Sequence, residues 1–165
     1  MENIKILMND NLIYIAHRGN INGPSSMENH PDHIKYALTQ GFDVEVDVRV
    51  IDGVLFLGHF EPQYEAPQEI LTNNHVWFHC KNIEALSYMT GNFGFDRINY
   101  FWHDVDDYTL TNKGHIWTSP GCELADRSIM VMPETYEEDW LDYTCKATCF
   151  GVCSDYVEYI KEARE

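Results

Sequence analysis

Eight short runs rich in Val, Ile, Phe, Tyr and Trp recur along the chain between polar connectors: Leu12–Ala16, Asp43–Val50, Val54–Gly58, Val76–Cys80, Asn99–His103, His115–Thr118, Ile129–Met132 and Cys149–Ser154. Several lack the strict polar alternation of a strand with one wet face, as strands covered on both faces do. Helical stretches lie at Pro31–Gln40, Ile83–Thr90, Thr135–Tyr143 and Tyr156–Glu165. The first opens with Pro31 and stops at Gly41, a proline-in, glycine-out pattern that marks helix ends. Strands alternating with helices predict an α/β chain on a parallel sheet. No linker, repeat or low-complexity tract interrupts the pattern, so residues 1–165 read as a single domain.

Eight strands with helices between them suggest a (β/α)8 barrel, yet such barrels usually need ~250 residues and rarely fewer than ~200. Between His103 and His115 there is room for about a dozen residues, close to the minimum for a crossover. That stretch, from Tyr108 to Thr118, reads as a hairpin. The expectation is therefore a minimal or distorted (β/α)8 TIM-like barrel with several outer helices shortened or missing; an α+β sandwich is the competing arrangement. Missing helices would leave apolar strand faces suited to a homo-oligomer.

Against 11 Lys and Arg stand 27 Asp and Glu, a net charge of −16. Such a surface repels DNA, RNA and anionic lipid, which excludes a nucleic-acid binder held by phosphate contacts. A phosphate ligand would need a local positive centre, and a bound cation supplies one. No run approaches the ~18 apolar residues of a membrane span, so no stable membrane insertion is expected. The opening MENIKILMNDNL lacks the apolar run of a signal peptide, which makes the cytoplasm the expected location. Five cysteines, an odd and sparse set, predict reduced thiols. The spacing of Cys145, Cys149 and Cys153 contains no CxxC pair and is crossed by Gly151, so it reads as strand packing rather than a metal site.

Glu45 and Asp47 stand two residues apart in a strand, so their carboxylates share one face. Val44, Val46 and Val48 flank them and argue that the strand is buried. Two inward acids repel one another, and a divalent cation with a taste for carboxylate oxygen resolves that. Asp43 has the same parity and either reaches this site or caps the strand start. His17 and His59 each end a predicted strand and would meet on one rim of a parallel barrel. Two imidazoles there can serve as general base and general acid near neutral pH. Arg18 offers a planar fork of donors for phosphate oxygens, and Gly19 lets the backbone approach a ligand.

Five pieces occur in order over residues 15 to 60: Ile15-Ala16-His17-Arg18-Gly19, Glu28-Asn29-His30, Gly41-Phe42-Asp43-Val44-Glu45-Val46-Asp47-Val48, Asp52-Gly53 and Leu57-Gly58-His59. Together they resemble the glycerophosphodiester phosphodiesterase family of phosphatidylinositol-phospholipase-C-like barrels, whose pattern runs HRG, ENT, GAD-x-IE-x-DV, DG and HD. The resemblance implies a metal-dependent phosphodiesterase of lipid metabolism, acting on a small glycerophosphodiester or a phospholipid headgroup. A substrate hydroxyl would attack phosphorus, giving a cyclic phosphate that water then opens. His17 and His59 would be catalytic, Arg18 and Lys81 would hold phosphate, and Glu45, Asp47 and His79 would hold the metal.

Two departures stand out. His59 is followed by Phe60 where the family has Asp, and the family's EIK strand corresponds to Val76–Asn82, which places His79 where the pattern has Glu and Lys81 where it has Lys. Carboxylates favour Mg²⁺ or Ca²⁺; either a His79 ligand brings Mn²⁺ or Zn²⁺ into play, or His79 leaves that role and water fills it. Trp102, His103, Asp104, Trp117, Glu134 and Asp155 fall at or near ends of later strands, where they either wall the pocket or pack. A degenerate site that binds a phosphorylated polyol without turnover is the alternative function. A metal-dependent sugar isomerase or lyase fits the contiguous His17-Arg18-Gly19 less well.

Overall fold

A computed structural model describes residues 12–93, 97–136 and 138–165; the expectation drawn from the first eleven residues lies outside them. Among the described residues ten strands form, β1 (Ile13–His17), β2 (Asp43–Ile51), β3 (Val54–Leu57), β4 (Tyr64–Glu65), β5 (Val76–Cys80), β6 (Asn99–Trp102), β7 (Tyr108–Leu110), β8 (Ile116–Thr118), β9 (Ser128–Val131) and β10 (Gly151–Ser154). The helices are α1 (Pro31–Thr39), α2 (Gln68–Leu71), α3 (Ile83–Asn92), α4 (Trp140–Lys146) and α5 (Val157–Arg164).

All ten strands belong to one mixed sheet. Its parallel part runs β6-β5-β2-β1-β10-β9-β8. The expected neighbours β1, β2 and β5 are parallel, with α1 as the crossover between the first two. Beyond this part β3 and β4 fold back antiparallel on β2, and β7 folds back antiparallel on β8. The sheet curls into a half-barrel.

This overturns the (β/α)8 TIM-like barrel. The stretch from Tyr108 to Thr118 is the hairpin its sequence suggested, so it supplies β7 in place of a crossover helix. Residues 119–127 join β8 to β9 without a helix either. Among the described residues no ladder joins β6 to β8. Across this seam Asn112 Oδ1 accepts from the Tyr100 amide at 2.8 Å, Asn112 Nδ2 donates to the Ile98 carbonyl at 2.9 Å, the Asn112 amide donates to the Tyr100 carbonyl at 3.0 Å, and Thr109 Oγ1 donates to the Trp102 carbonyl at 2.8 Å.

Local chemistry sets the elements that carry the site. In α1, Pro31 fills a first-turn position and the His30 ring accepts from the Asp32 amide. Its end is a Schellman turn, with Gly41 at φ +84° and the Phe42 amide bonded to the Ala37 carbonyl. The Thr135–Tyr143 helix is displaced: a 3₁₀ turn covers Pro133–Thr135 and α4 begins only at Trp140. Within the 3₁₀ turn the Glu134 carboxylate turns back to accept from Ser154 Oγ and the Asp155 amide.

The sheet is covered on both faces. Val44, Val46 and Val48 of β2 face outward into a core with Ile34 and Ala37 of α1 and Ala85 and Met89 of α3. Inside the curl, Ile15, Trp77, Phe101, Trp117, Ile129 and Cys153 form a second apolar layer. At ~25 cal/mol per Å2, each fully buried large side chain here contributes roughly 1.5–3 kcal/mol. All five cysteines are free thiols. No described helix is long and apolar enough to cross a membrane.

Candidate metal centre

Register places the polar groups. Across β1 and β2 His17 lies beside Glu45, and across β2 and β5 Asp47 lies beside His79. The alternation that sends the valines outward sends these side chains inward, above the apolar layer of Trp77, Phe101 and Trp117. Trp117 stacks on Phe101 with ring centroids 4.3 Å apart and is core, not pocket wall; Trp102 is partly exposed.

Glu45 and Asp47 are 1% and 0% exposed. One donor atom from each, together with one from His79, lies within 4.8 Å of the others. His79 Nδ1 stands 3.5 Å from Glu45 Oε1 and 3.4 Å from Asp47 Oδ1. The Arg18 amide donates to the other Glu45 oxygen. Asn29 clamps Asp47: its Oδ1 accepts from the Asp47 amide at 2.9 Å and its Nδ2 donates to Asp47 Oδ2 at 3.0 Å. Burial alone would raise the Asp47 pKa, but His59, Arg18, His79 and Asn29 together hold it well below the usual carboxylate range. Two carboxylate oxygens and an imidazole nitrogen facing one point make a donor set that fits a divalent cation.

His17 is held from below. Its Nδ1 lies 2.8 Å from Asp155 Oδ1, and Asn20 donates to the same carboxylate oxygen at 2.8 Å. A carboxylate only accepts, so Nδ1 carries the proton and Nε2 is the working end, 4.0 Å from Glu45 Oε2. Burial would lower the His17 pKa, but the Asp155 bond and the Glu45 charge outweigh it and raise it above the ordinary histidine value.

His59 reaches the same place by a different route from the one expected. It does not end a parallel strand; β3 runs antiparallel to β2, and this return brings His59 back down to Asp47. The Gly58 amide donates to the Asp47 carbonyl and fixes the approach. His59 Nδ1 is 2.8 Å from Arg18 Nη2 and 3.1 Å from Asp47 Oδ1. It serves one partner at a time: unprotonated it accepts from Arg18, protonated it donates to Asp47. Phe60, 87% exposed, meets the His59 ring edge-on, and the next residue, Glu61, is exposed as well.

Arg18 sits at φ +51°, a left-handed conformation that costs a non-glycine residue about 1–3 kcal/mol. Nη1 donates to Glu28 at 3.0 Å, and Nε forms an ion pair with Asp47 at 2.9 Å without hydrogen-bond alignment. Lys81 Nζ is 4.0 Å from Asp47. Arg49 ties the two loops together, donating to the His59 carbonyl at 2.7 Å and to the Lys81 carbonyl at 3.4 Å. Glu28, Glu45, Asp47 and Asp155 thus face two fixed cations, Arg18 and Lys81, an excess of negative charge that a metal ion would relieve.

The remaining expectations divide. Asp43 does not join the site; it binds His75 Nδ1 and Trp77 Nε1, each at 2.8 Å, at the start of β2. Asp155 faces the site as the partner of His17. His103 contributes its main-chain carbonyl, which accepts from His79 Nε2 at 2.9 Å, while Asp104 is exposed. Asn20 carried no earlier signal, and Asn29 had one only as part of the Glu28-Asn29-His30 motif, where its φ of +60° suits an Asn. Cys145, Cys149 and Cys153 do not form a metal cluster among the described residues. No family model, curated protein or solved structure matches the chain.

Proposed function

We propose that this chain hydrolyses a phosphodiester with a divalent cation held by Glu45, Asp47 and His79, on a glycerophosphodiester-like or phospholipid-headgroup substrate as the family resemblance implies. The observation that carries the reading is that the metal-ligand triad and an Asp155-oriented histidine share Glu45. A bound cation would neutralise phosphate charge and polarise a phosphoryl oxygen. His17 Nε2 is the group that takes or gives a proton, because Asp155 fixes the proton on Nδ1. His59, anchored through Nδ1, is its counterpart. Arg18 and Lys81 bring the positive charge that offsets a phosphorane-like transition state. The reduced thiols and the acidic surface fit a cytoplasmic, small-molecule enzyme.

The test is turnover of an aryl phosphodiester that carries a free hydroxyl beside its phosphate, by parent protein, by protein stripped with a chelator, and after metal is restored. Turnover that is lost on stripping and regained on restoration supports the reading; turnover indifferent to the chelator ends it. A second reading has its own support. Arg18 is engaged on all three nitrogens by Glu28, His59 and Asp47, and Phe60 replaces an acid, which suits a protein that binds a phosphorylated polyol without turnover. Phosphate-ester binding with no turnover under any metal would favour it.

A further inference from the structure

The kind of cation is a separate matter from its presence, and this inference rests on the metal-dependent reading above. His79 is the deciding ligand. Its Nε2 lies 2.9 Å from the His103 carbonyl oxygen, which can only accept. The proton of the neutral ring is therefore on Nε2 and the lone pair is on Nδ1. Nδ1 is the atom that faces Glu45 at 3.5 Å and Asp47 at 3.4 Å. A lone pair aimed at two carboxylate oxygens is repulsive unless a positive centre stands among them.

The ring cannot swing away to leave an all-oxygen site. It stacks on Phe101 at 4.9 Å and 16°, Phe101 stacks in turn on Trp117, and the β2–β5 register keeps His79 beside Asp47. A carbonyl on the far nitrogen is the outer contact that fixes tautomer and aim in imidazole metal ligands. We propose that Glu45, Asp47 and His79 Nδ1 form a mixed carboxylate–imidazole site that selects borderline first-row cations, Zn²⁺ above Mn²⁺, over Mg²⁺ and Ca²⁺. Imidazole nitrogen suits the first pair, whereas the second pair seeks oxygen.

Binding of Zn²⁺, Mn²⁺, Mg²⁺ and Ca²⁺, each alone, to metal-free protein measured by titration calorimetry tests this, with the His79→Glu variant alongside. The parent should prefer Zn²⁺ and Mn²⁺ over Mg²⁺ and Ca²⁺ by about tenfold or more, and His79→Glu should shift the preference toward Mg²⁺ and Ca²⁺ by a similar factor. Should the added acid prevent folding, His79→Gln, matched by circular dichroism, should lose the Zn²⁺ preference. Mg²⁺ or Ca²⁺ bound by the parent as tightly as Mn²⁺, or a preference untouched by either substitution, overturns the selectivity and leaves the metal-dependent reading standing. A parent that binds none of the four overturns both.

Discussion

His17 and Asp155 lie 138 residues apart in the chain and 2.8 Å apart in space, joined by the pairing of β1 with β10. The bond sets which nitrogen of the histidine works, and it couples stability to pH from two sides. Burial pulls the His17 pKa down, but Asp155 and Glu45 lift it above its unfolded value, so its stabilisation is full below ~6.5 and fades as pH rises through the folded value. Burial pulls the Asp155 pKa up, but His17, Asn20 and Arg18 hold it below its unfolded value, so its stabilisation is present above ~3.9 and is lost as pH falls further.

Replacing Asp155 with Asn should therefore cost most between those limits. The expected loss in metal-free protein is about 1–3 kcal/mol near pH 5.5. Thermal melts of parent and variant from pH 4 to pH 9 check it, and the difference should shrink toward the alkaline end. A gap that widens above pH 8 would contradict the assignment.

Asn29 gives a second prediction. It bonds the Asp47 amide and the Asp47 carboxylate at once, from a backbone at φ +60°. Asn29→Gly relieves the conformation but removes both bonds, and should lower stability by about 1–3 kcal/mol. It should also weaken metal binding about 10–100-fold, because an outer contact aims the ligand. Asn29→Ala should be worse than Gly by about 1 kcal/mol, the cost of a left-handed residue with a Cβ. Equal losses for Gly and Ala in denaturant unfolding would remove the backbone part of the argument.

Some of this was open to reading and some was not. The opposite faces of β2 follow from a period of two, which separates Val44, Val46 and Val48 from Glu45 and Asp47 without any tertiary knowledge. The ends of α1 follow from Pro31 and Gly41 for equally local reasons. The Tyr108–Thr118 hairpin was also legible, but its consequence was not, because whether β6 meets β8 depends on pairing between distant segments. A parallel strand end does not account for His59, which only the antiparallel return of β3 carries to the site. His103 acts through its main-chain carbonyl, and such an acceptor leaves no mark on residue type. Asp155 drew notice at a strand end, but its partner could not be named before β1 and β10 were paired.

Glu134 offers a stability test away from the metal. Burial raises its pKa above the unfolded value, and one carboxylate oxygen is buried without a partner while the other accepts from Ser154 and the Asp155 amide. An acid with a raised folded pKa stabilises below its unfolded value of ~4.3 and loses that contribution as pH rises through the folded value. Glu134→Gln keeps the accepting oxygen and removes the titration. The variant should melt at the parent's temperature near pH 4 and above it at pH 7.5. A variant that melts lower at pH 7.5 would mean the ionised carboxylate is the favoured form.

The two histidines separate an enzyme from a binder. Both are anchored through Nδ1, His17 on Asp155 and His59 on Arg18 or Asp47, so each has Nε2 left for proton transfer. If they act as an acid–base pair, His17→Ala or His59→Ala should lower the rate by ~10²–10⁴, the usual worth of a positioned proton-transfer group. Metal affinity should change little for His59→Ala, because His59 is not among the three ligands. The double variant should lose far less than the product of the single losses, since groups that act as a unit are not additive. Arg18→Ala should instead weaken binding of inorganic phosphate as well as the rate, because its guanidinium lies nearer Asp47 than the Lys81 ammonium does, 2.9 Å against 4.0 Å. Steady-state rates on an aryl phosphodiester, paired with phosphate titrations, distinguish these patterns. A parent rate that survives loss of either histidine would end the acid–base mechanism, and a parent that holds phosphate yet never turns over would assign the same residues to binding alone.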